Sequence, residues 1–283
     1  MKYQLIIHVL STYLFSLFLV ISASIFFYSP CIGQEKKYSV PSIQITPNIW
    51  GGAKATDIQK VLESTARQII PYIWQKKLNP IKVGRSQTGP IVLYRRGSSG
   101  EYLVRLNTQR TFWSQYAFQF AHELGHIICG YKKGDSSNMW FEESICETAS
   151  LFTLIHMTEE WKNNPPYPIW KSYAPAFKKY ANDRLKKYPW PKNTSIQDWY
   201  KKHKNSLEKN HSNRERNVRI ASRLLPFFMN NPSGWETVAF INNQKSDKKI
   251  SFKNYLQNWK EQLKTSAQEE FVSQIISAFG LQE

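Results

Sequence analysis

Two histidines and a glutamate stand inside an otherwise apolar run, FAHELGHIICGY, residues Phe120 to Tyr131. On a helix, residues four apart lie one turn apart on the same face, so the imidazoles of His122 and His126 can reach one metal ion. Glu123 is about 100° round the helix from His122, close enough to flank that ion without binding it. The run is His-Glu-x-x-His, a spacing whose meaning depends on what the rest of the chain brings to it. A second helix-like stretch follows at once, NMWFEESICETAS, residues Asn138 to Ser150, with Glu143 and Glu147 on one face. Two like charges at that spacing destabilise an isolated helix by a few tenths of a kcal/mol, roughly, unless a cation or donor lies opposite.

With these two motifs in consecutive helices the chain resembles the gluzincins, zincin-fold zinc metallopeptidases in which a glutamate on the second helix completes the site. Trp140 to Glu143 matches the Trp-x-x-Glu form of that second motif, and the resemblance covers residues 101–150. It implies a zinc ion held by His122, His126 and Glu143, with one open position. Glu142 is the competing ligand, which the Trp-x-x-Glu register disfavours. Glu123 is then expected as general base, taking a proton from water that attacks a carbonyl and passing it to the leaving amine. Glu147 is expected to hold a histidine ring by accepting its other N–H. The strand EYLVRLN, just before the metal helix, is expected to be a sheet edge that pairs with extended substrate. A metzincin is excluded, because Cys129 and Lys132 stand where it needs glycine and histidine.

One part of the resemblance is missing. Such sites draw a Tyr or His from the helical half to stabilise the oxyanion, but the corresponding stretch, RERNVRIASRLLPFF, offers Asn217 and arginines. His211, Tyr167 and Tyr173 are the substitutes within the sequence. His156 and His203 show no partner pattern.

The elements that must position these residues follow from periodicity and turn chemistry. A first helix is expected from Thr56 to Gln75, then a hairpin of Ile91–Arg95 with Tyr102–Leu106 across the GSSG turn. Asn107 or Thr108 can cap a helix that reaches Cys129 and stops at Gly130, and the next runs from Asn138 to Trp161. From Ile169 onward the signals are helical. The expected fold class is therefore α+β, zincin-like by the resemblance, with a small mixed or antiparallel sheet and two metal-site helices followed by an all-helical C-terminal half.

The domain reading is residues 1–33 as signal peptide or membrane anchor, 34–54 as linker, 55–165 as catalytic subdomain and 166–283 as helical subdomain. The first of these rests on about 24 uncharged, mostly apolar residues from Leu5 to Tyr28, enough to enter a membrane whether or not the segment is cleaved. The protein is expected to be exported or membrane-anchored. Its 38 Lys and Arg against 21 Asp and Glu give a net charge of +17. That charge is spread in doublets along amphipathic stretches with no nucleic-acid-binding signature, so the expected partners are a peptide or protein substrate and a membrane, not nucleic acid. Cys129 and Cys146 are too few for a disulfide scaffold and read as small buried hydrophobes.

Overall fold

Nine α-helices and four strands make up the described residues, 39–73 and 77–282, of the computed structural model. The expected leader at 1–33 and the first part of the linker lie outside them. Among the described residues no helix is long and apolar enough to cross a membrane.

The sheet comes first and is mixed. β1 (Ile43–Ile45) pairs parallel with β2 (Ile81–Arg85), β2 pairs parallel with β4 (Tyr102–Leu106), and β3 (Ile91–Val92) closes antiparallel on β4. The expected hairpin is present, with Val92 opposite Val104. Its place in the sheet differs from expectation. The strand order is β1-β2-β4-β3, so β4 is interior and cannot accept a substrate strand; the edges are β1 and β3, and β3 is the one on the hairpin side. The reason is that β4 is already paired on both sides, by β2 across residues 81–85 and by the short strand that precedes it.

Helix α1 (Ala55–Arg67) ends earlier than its apolar spacing suggested, passing into a 3-10 turn at Ile70–Ile73 that contains Pro71. Helix α2 (Trp113–Cys129) is buried on almost every side and packs between the sheet and α3 (Met139–Asn163), which is also buried nearly all round. A helix apolar on all faces belongs at the centre of a domain, and α3 contacts α2 and the helices of the C-terminal half alike. Those helices are α4 (Ala174–Lys187), α5 (Ile196–Lys209), α6 (Arg214–Asn230), α7 (Trp235–Val238), α8 (Phe252–Glu261) and α9 (Ser266–Ala278). Residues Tyr38–Glu283 form one compact unit, so the sheet and the helical half share a core.

Three local features fix the position of α2 and α3. Gly130 adopts a left-handed φ of 67° and ends α2 as expected, while the Tyr131 N–H donates to the His126 carbonyl, a closure in which other residues would pay a steric penalty. Gly125 lets the two helices approach, because a Cβ there would lie 3.0 Å from both Cα and Sγ of Cys146. Below the start of α3, Trp140 and Phe141 sit in an aromatic cluster with Phe252, at ring separations of 4.6 and 5.1 Å. Emptying such a site costs about 3–5 kcal/mol.

The start of α2 is not where Asn107 or Thr108 would cap it. The Gln119 side chain accepts from the Asn107 N–H and donates to its carbonyl, holding that residue in an extended lead-in, and Arg110 turns the chain at a φ of 54°. The helix begins at Trp113, and the Ser114 N–H is satisfied by the Tyr173 hydroxyl at 3.1 Å.

Candidate metal centre

The α2–α3 pairing brings the side chains of the two motifs face to face. His122 and His126 rings are 5.1 Å apart at 71° to each other. The Glu143 carboxylate reaches both: Oε2 is 3.2 Å from His122 Nε2 and Oε1 is 3.7 Å from His126 Nε2. One ligand atom from each of the three residues falls within 4.8 Å of the others. Ligands about 2.0–2.1 Å from a tetrahedral ion stand about 3.4 Å apart, so these separations suit one small cation.

Each histidine turns its other nitrogen to a buried carboxylate. His122 Nδ1 is 3.4 Å from Glu147 Oε2, and Glu147 Oε1 is held by Arg184 Nη2 at 2.7 Å. His126 Nδ1 is 2.8 Å from Glu142 Oε1; Glu142 Oε2 accepts from Asn242 Nδ2 at 2.8 Å and lies 3.7 Å from Lys245 Nζ. Tyr255 then donates to Asn242 Oδ1 at 3.2 Å. Glu147 therefore stands where the sequence placed it, behind a histidine. Glu142 does not face the centre as a rival ligand; it supports His126 as Glu147 supports His122. Arg184, Asn242, Lys245 and Tyr255 carried no sequence signal, because each meets its partner across 13 to 103 residues of chain.

The charges of this buried cluster bear on what it can hold. Glu123, Glu142, Glu143 and Glu147 are four carboxylates, and among the described residues the non-histidine cations in ion-pair reach of them are Arg184 and Lys245, leaving two negative charges. A divalent cation, or protons on both imidazoles, supplies what is missing. Without a metal the surroundings favour the protons. Burial pushes His122 down, but hydrogen bonds to Glu143 and Glu147 raise it well above the usual imidazole range, and Glu142 does the same for His126 against the same burial. Burial likewise opposes ionisation of Glu143, yet its hydrogen bond to His122 and the charges of His126 and His211 hold it down at about 2. The donor set and the charge deficit thus fit a divalent ion held by His122, His126 and Glu143.

Glu123 differs from the other three carboxylates. Burial raises its affinity for a proton and outweighs the nearby imidazoles, while the backbone N–H of Val92 lies close enough to favour its charged form. Leu93 donates its own N–H to Leu103 across β4, so the Val92 amide one residue earlier points away from β4, to the β3 edge of the sheet. That edge and the metal cluster face one cavity of about 440 Å³. Comparison with known proteins adds nothing to this. No family model, no curated protein and no solved structure matches the chain.

The opposite wall of the cavity comes from α6, where Arg214 and Asn217 line it. Asn217 donates to the His211 carbonyl at 2.9 Å, and its Oδ1 is buried with no hydrogen-bond partner among the described residues. Of the substitutes for an oxyanion donor, His211 lies near enough for its charge to act on Glu143. Tyr167 and Tyr173 are elsewhere: the first bonds Asp57 Oδ1 and the second caps α2. His156 packs on Phe152 and His203 on Trp199. Tyr94, not singled out by its sequence, also lines the cavity; burial and the charges of Glu142 and Glu143 raise its hydroxyl above the usual tyrosine range.

Proposed function

We propose that the protein is a zinc-dependent, gluzincin-like metallopeptidase that hydrolyses peptide bonds, with His122, His126 and Glu143 as ligands. The observation that carries this reading is the placing of Glu123. A structural metal site needs ligands and their supports; it has no use for a fourth carboxylate with raised proton affinity set beside the ligands at the rim of a cavity. Zinc suits two imidazoles and one carboxylate, and when bound it supplies Lewis acidity that polarises a carbonyl and makes water a stronger acid.

The chain's own residues do the rest. Glu123 takes the proton from the attacking water and delivers it to the leaving nitrogen, a role served by a carboxylate whose proton affinity burial has raised toward neutrality. Glu147 and Glu142 fix the two rings so that Nε2 of each points inward. An extended peptide lies along the free edge of β3, the edge the interior strand β4 cannot offer, which puts its backbone beside Glu123. Arg214, from the opposite wall, supplies positive charge toward the oxygen on which negative charge develops. The N-terminal apolar run supports a location for this activity at or beyond a membrane.

The alternative is a zincin-fold envelope protein that keeps the metal but not turnover and binds anionic polymer or lipid. What favours it is Asn217, an amide on the helix from which the resemblance calls for a tyrosine donor. The two are separated by incubating full-length parent and Glu123→Gln, both checked for equal zinc, with a varied peptide mixture and reading cleavage by mass spectrometry. Cleavage by the parent that falls by about two to four orders of magnitude in the variant is expected for loss of a general base. A zinc-loaded parent that cuts nothing sinks the peptidase reading.

A further inference from the structure

Beside the metal cavity runs a second depression, of about 470 Å³, walled by Tyr94, Arg95 and Arg96 after β3 and by Tyr131, Lys132 and Lys133 after the end of α2. The two spaces share Tyr94 and Tyr131, so they adjoin at that pair of rings. Tyr131 ties the walls together by donating to the Leu93 carbonyl at 2.8 Å. Four cations line this groove, and among the described residues none of them is in ion-pair reach of a carboxylate. Lys132 donates to the Asn243 carbonyl at 3.1 Å, and Arg96 stacks its guanidinium 3.5 Å over the Tyr102 ring, which leaves its N–H edge available. Arg95 and Lys133 are exposed and have no partner among the described residues.

Charges of one sign gathered in a groove with aromatic walls repel each other unless an anion enters, and they concentrate anions there. β3 ends at Val92 and the chain bends at Tyr94 and Arg95, which sets the groove beside the end of the strand. From Val92, whose amide lies close to Glu123, to Arg95 is three residues, at most about 10 Å of extended chain. An extended peptide beside β3 with its reacting bond at Glu123 therefore brings the side chains two or three positions away to Arg95, Arg96 and Lys133.

We propose that this groove is a subsite for acidic side chains of the substrate, two or three residues to one side of the bond at the metal centre, an inference that rests on the peptidase reading above. A membrane or anionic polymer would be drawn by the whole basic surface and needs no cavity beside the groove; an acidic peptide segment uses both.

The test uses the full-length chain carrying Glu123→Gln, so that peptides stay intact, and three labelled peptides of equal length. One has two glutamates before an apolar centre, one has them after it, and one has glutamines in both places. Fluorescence anisotropy should show one acidic peptide binding about fivefold to tenfold tighter than the glutamine peptide, as two exposed ion pairs allow. Adding Arg95→Gln with Lys133→Gln should abolish that preference with zinc content and circular dichroism unchanged, since neither side chain has an internal partner. Adding Lys201→Gln with Lys202→Gln on α5, an equal change of net charge, should leave it intact. Equal affinity for all three peptides, equal preference for both acidic ones, or loss of preference in the α5 control overturns the subsite. So does binding to phosphatidylglycerol vesicles that the groove variant loses while no peptide is preferred. Cleavage by the parent separates the two claims. Hydrolysis of every peptide without acidic preference in rate or binding keeps the peptidase and removes the subsite, whereas acid-selective binding with no hydrolysis removes the peptidase reading.

Discussion

The two histidines are supported from different regions, and by different means. Behind His122 the Glu147 carboxylate is pinned by Arg184 of α4 at 2.7 Å, a close ion pair whose guanidinium also packs 4.7 Å over Phe118. Behind His126 the Glu142 carboxylate accepts from Asn242, itself oriented by Tyr255, and meets a buried cation, Lys245, only at the longer distance of 3.7 Å. One ring is therefore braced through a close ion pair and the other through a hydrogen-bond chain with a more distant charge. Both braces come from the helical half, although all three residues proposed as ligands come from the α2–α3 pair. The C-terminal half accordingly has a task at the site besides carrying a wall of the cavity: it sets the charge and the orientation of residues it does not contain.

Removing the charged brace should cost most. Arg184→Leu leaves Glu147 buried without its cation, and loss of one partner from a buried pair costs about 3–5 kcal/mol, to be read as a lowered midpoint in chemical denaturation of the metal-free protein. If the variant loses under about 1 kcal/mol, as expected of an exposed pair, the contrast between the two sides disappears.

The hydrogen-bonded brace should matter next, through the metal more than through stability. Glu142→Gln retains a group that can accept from His126 but gives up the negative charge, and changes behind a metal-bound histidine typically cost about 10–100-fold in metal affinity. Competition with a chelator of known affinity measures this. The site should still fill at saturating zinc, because Glu142 supports a ligand and is not one. Failure to fill at any zinc concentration would return Glu142 to the ligand set.

The smallest effect belongs to Lys245. At 3.7 Å from Glu142, and with Asn242 already bonded to the same oxygen, its replacement in Lys245→Met should weaken zinc by no more than about tenfold, the low end for a group behind a metal-bound histidine. A loss equal to that of Glu142→Gln would mean that both rings are braced by charge.

What the sequence made legible was whatever is local. The His-Glu-x-x-His spacing, the Trp-x-x-Glu register, the stop at Gly130 and the β3–β4 pairing across the GSSG turn each depend on residues a few positions apart, where helix and strand geometry fixes who meets whom. The role of Glu142 was not local. Adjacent residues on a helix point about 100° apart, so only the position of α2 and of Asn242 decides that Glu143 faces the centre while Glu142 faces His126 from behind. Similarly, a hairpin's sequence says that β3 and β4 pair and does not say on which side β2 will join. That second pairing buries β4 and leaves β3 as an edge. The early expectation for the start of α2 failed because Gln119, inside the helix, bonds Asn107 before it.

The ligand assignment is the claim on which the rest stands, and zinc content tests it most directly. Full-length parent and Glu143→Ala, exposed to zinc and dialysed against a metal-free buffer, are assayed for bound metal by inductively coupled plasma mass spectrometry. The account predicts about one zinc per parent chain and nearly none in the variant, because two histidines without the carboxylate do not complete the site. A parent that keeps no zinc, or a variant that keeps as much as the parent, would contradict it.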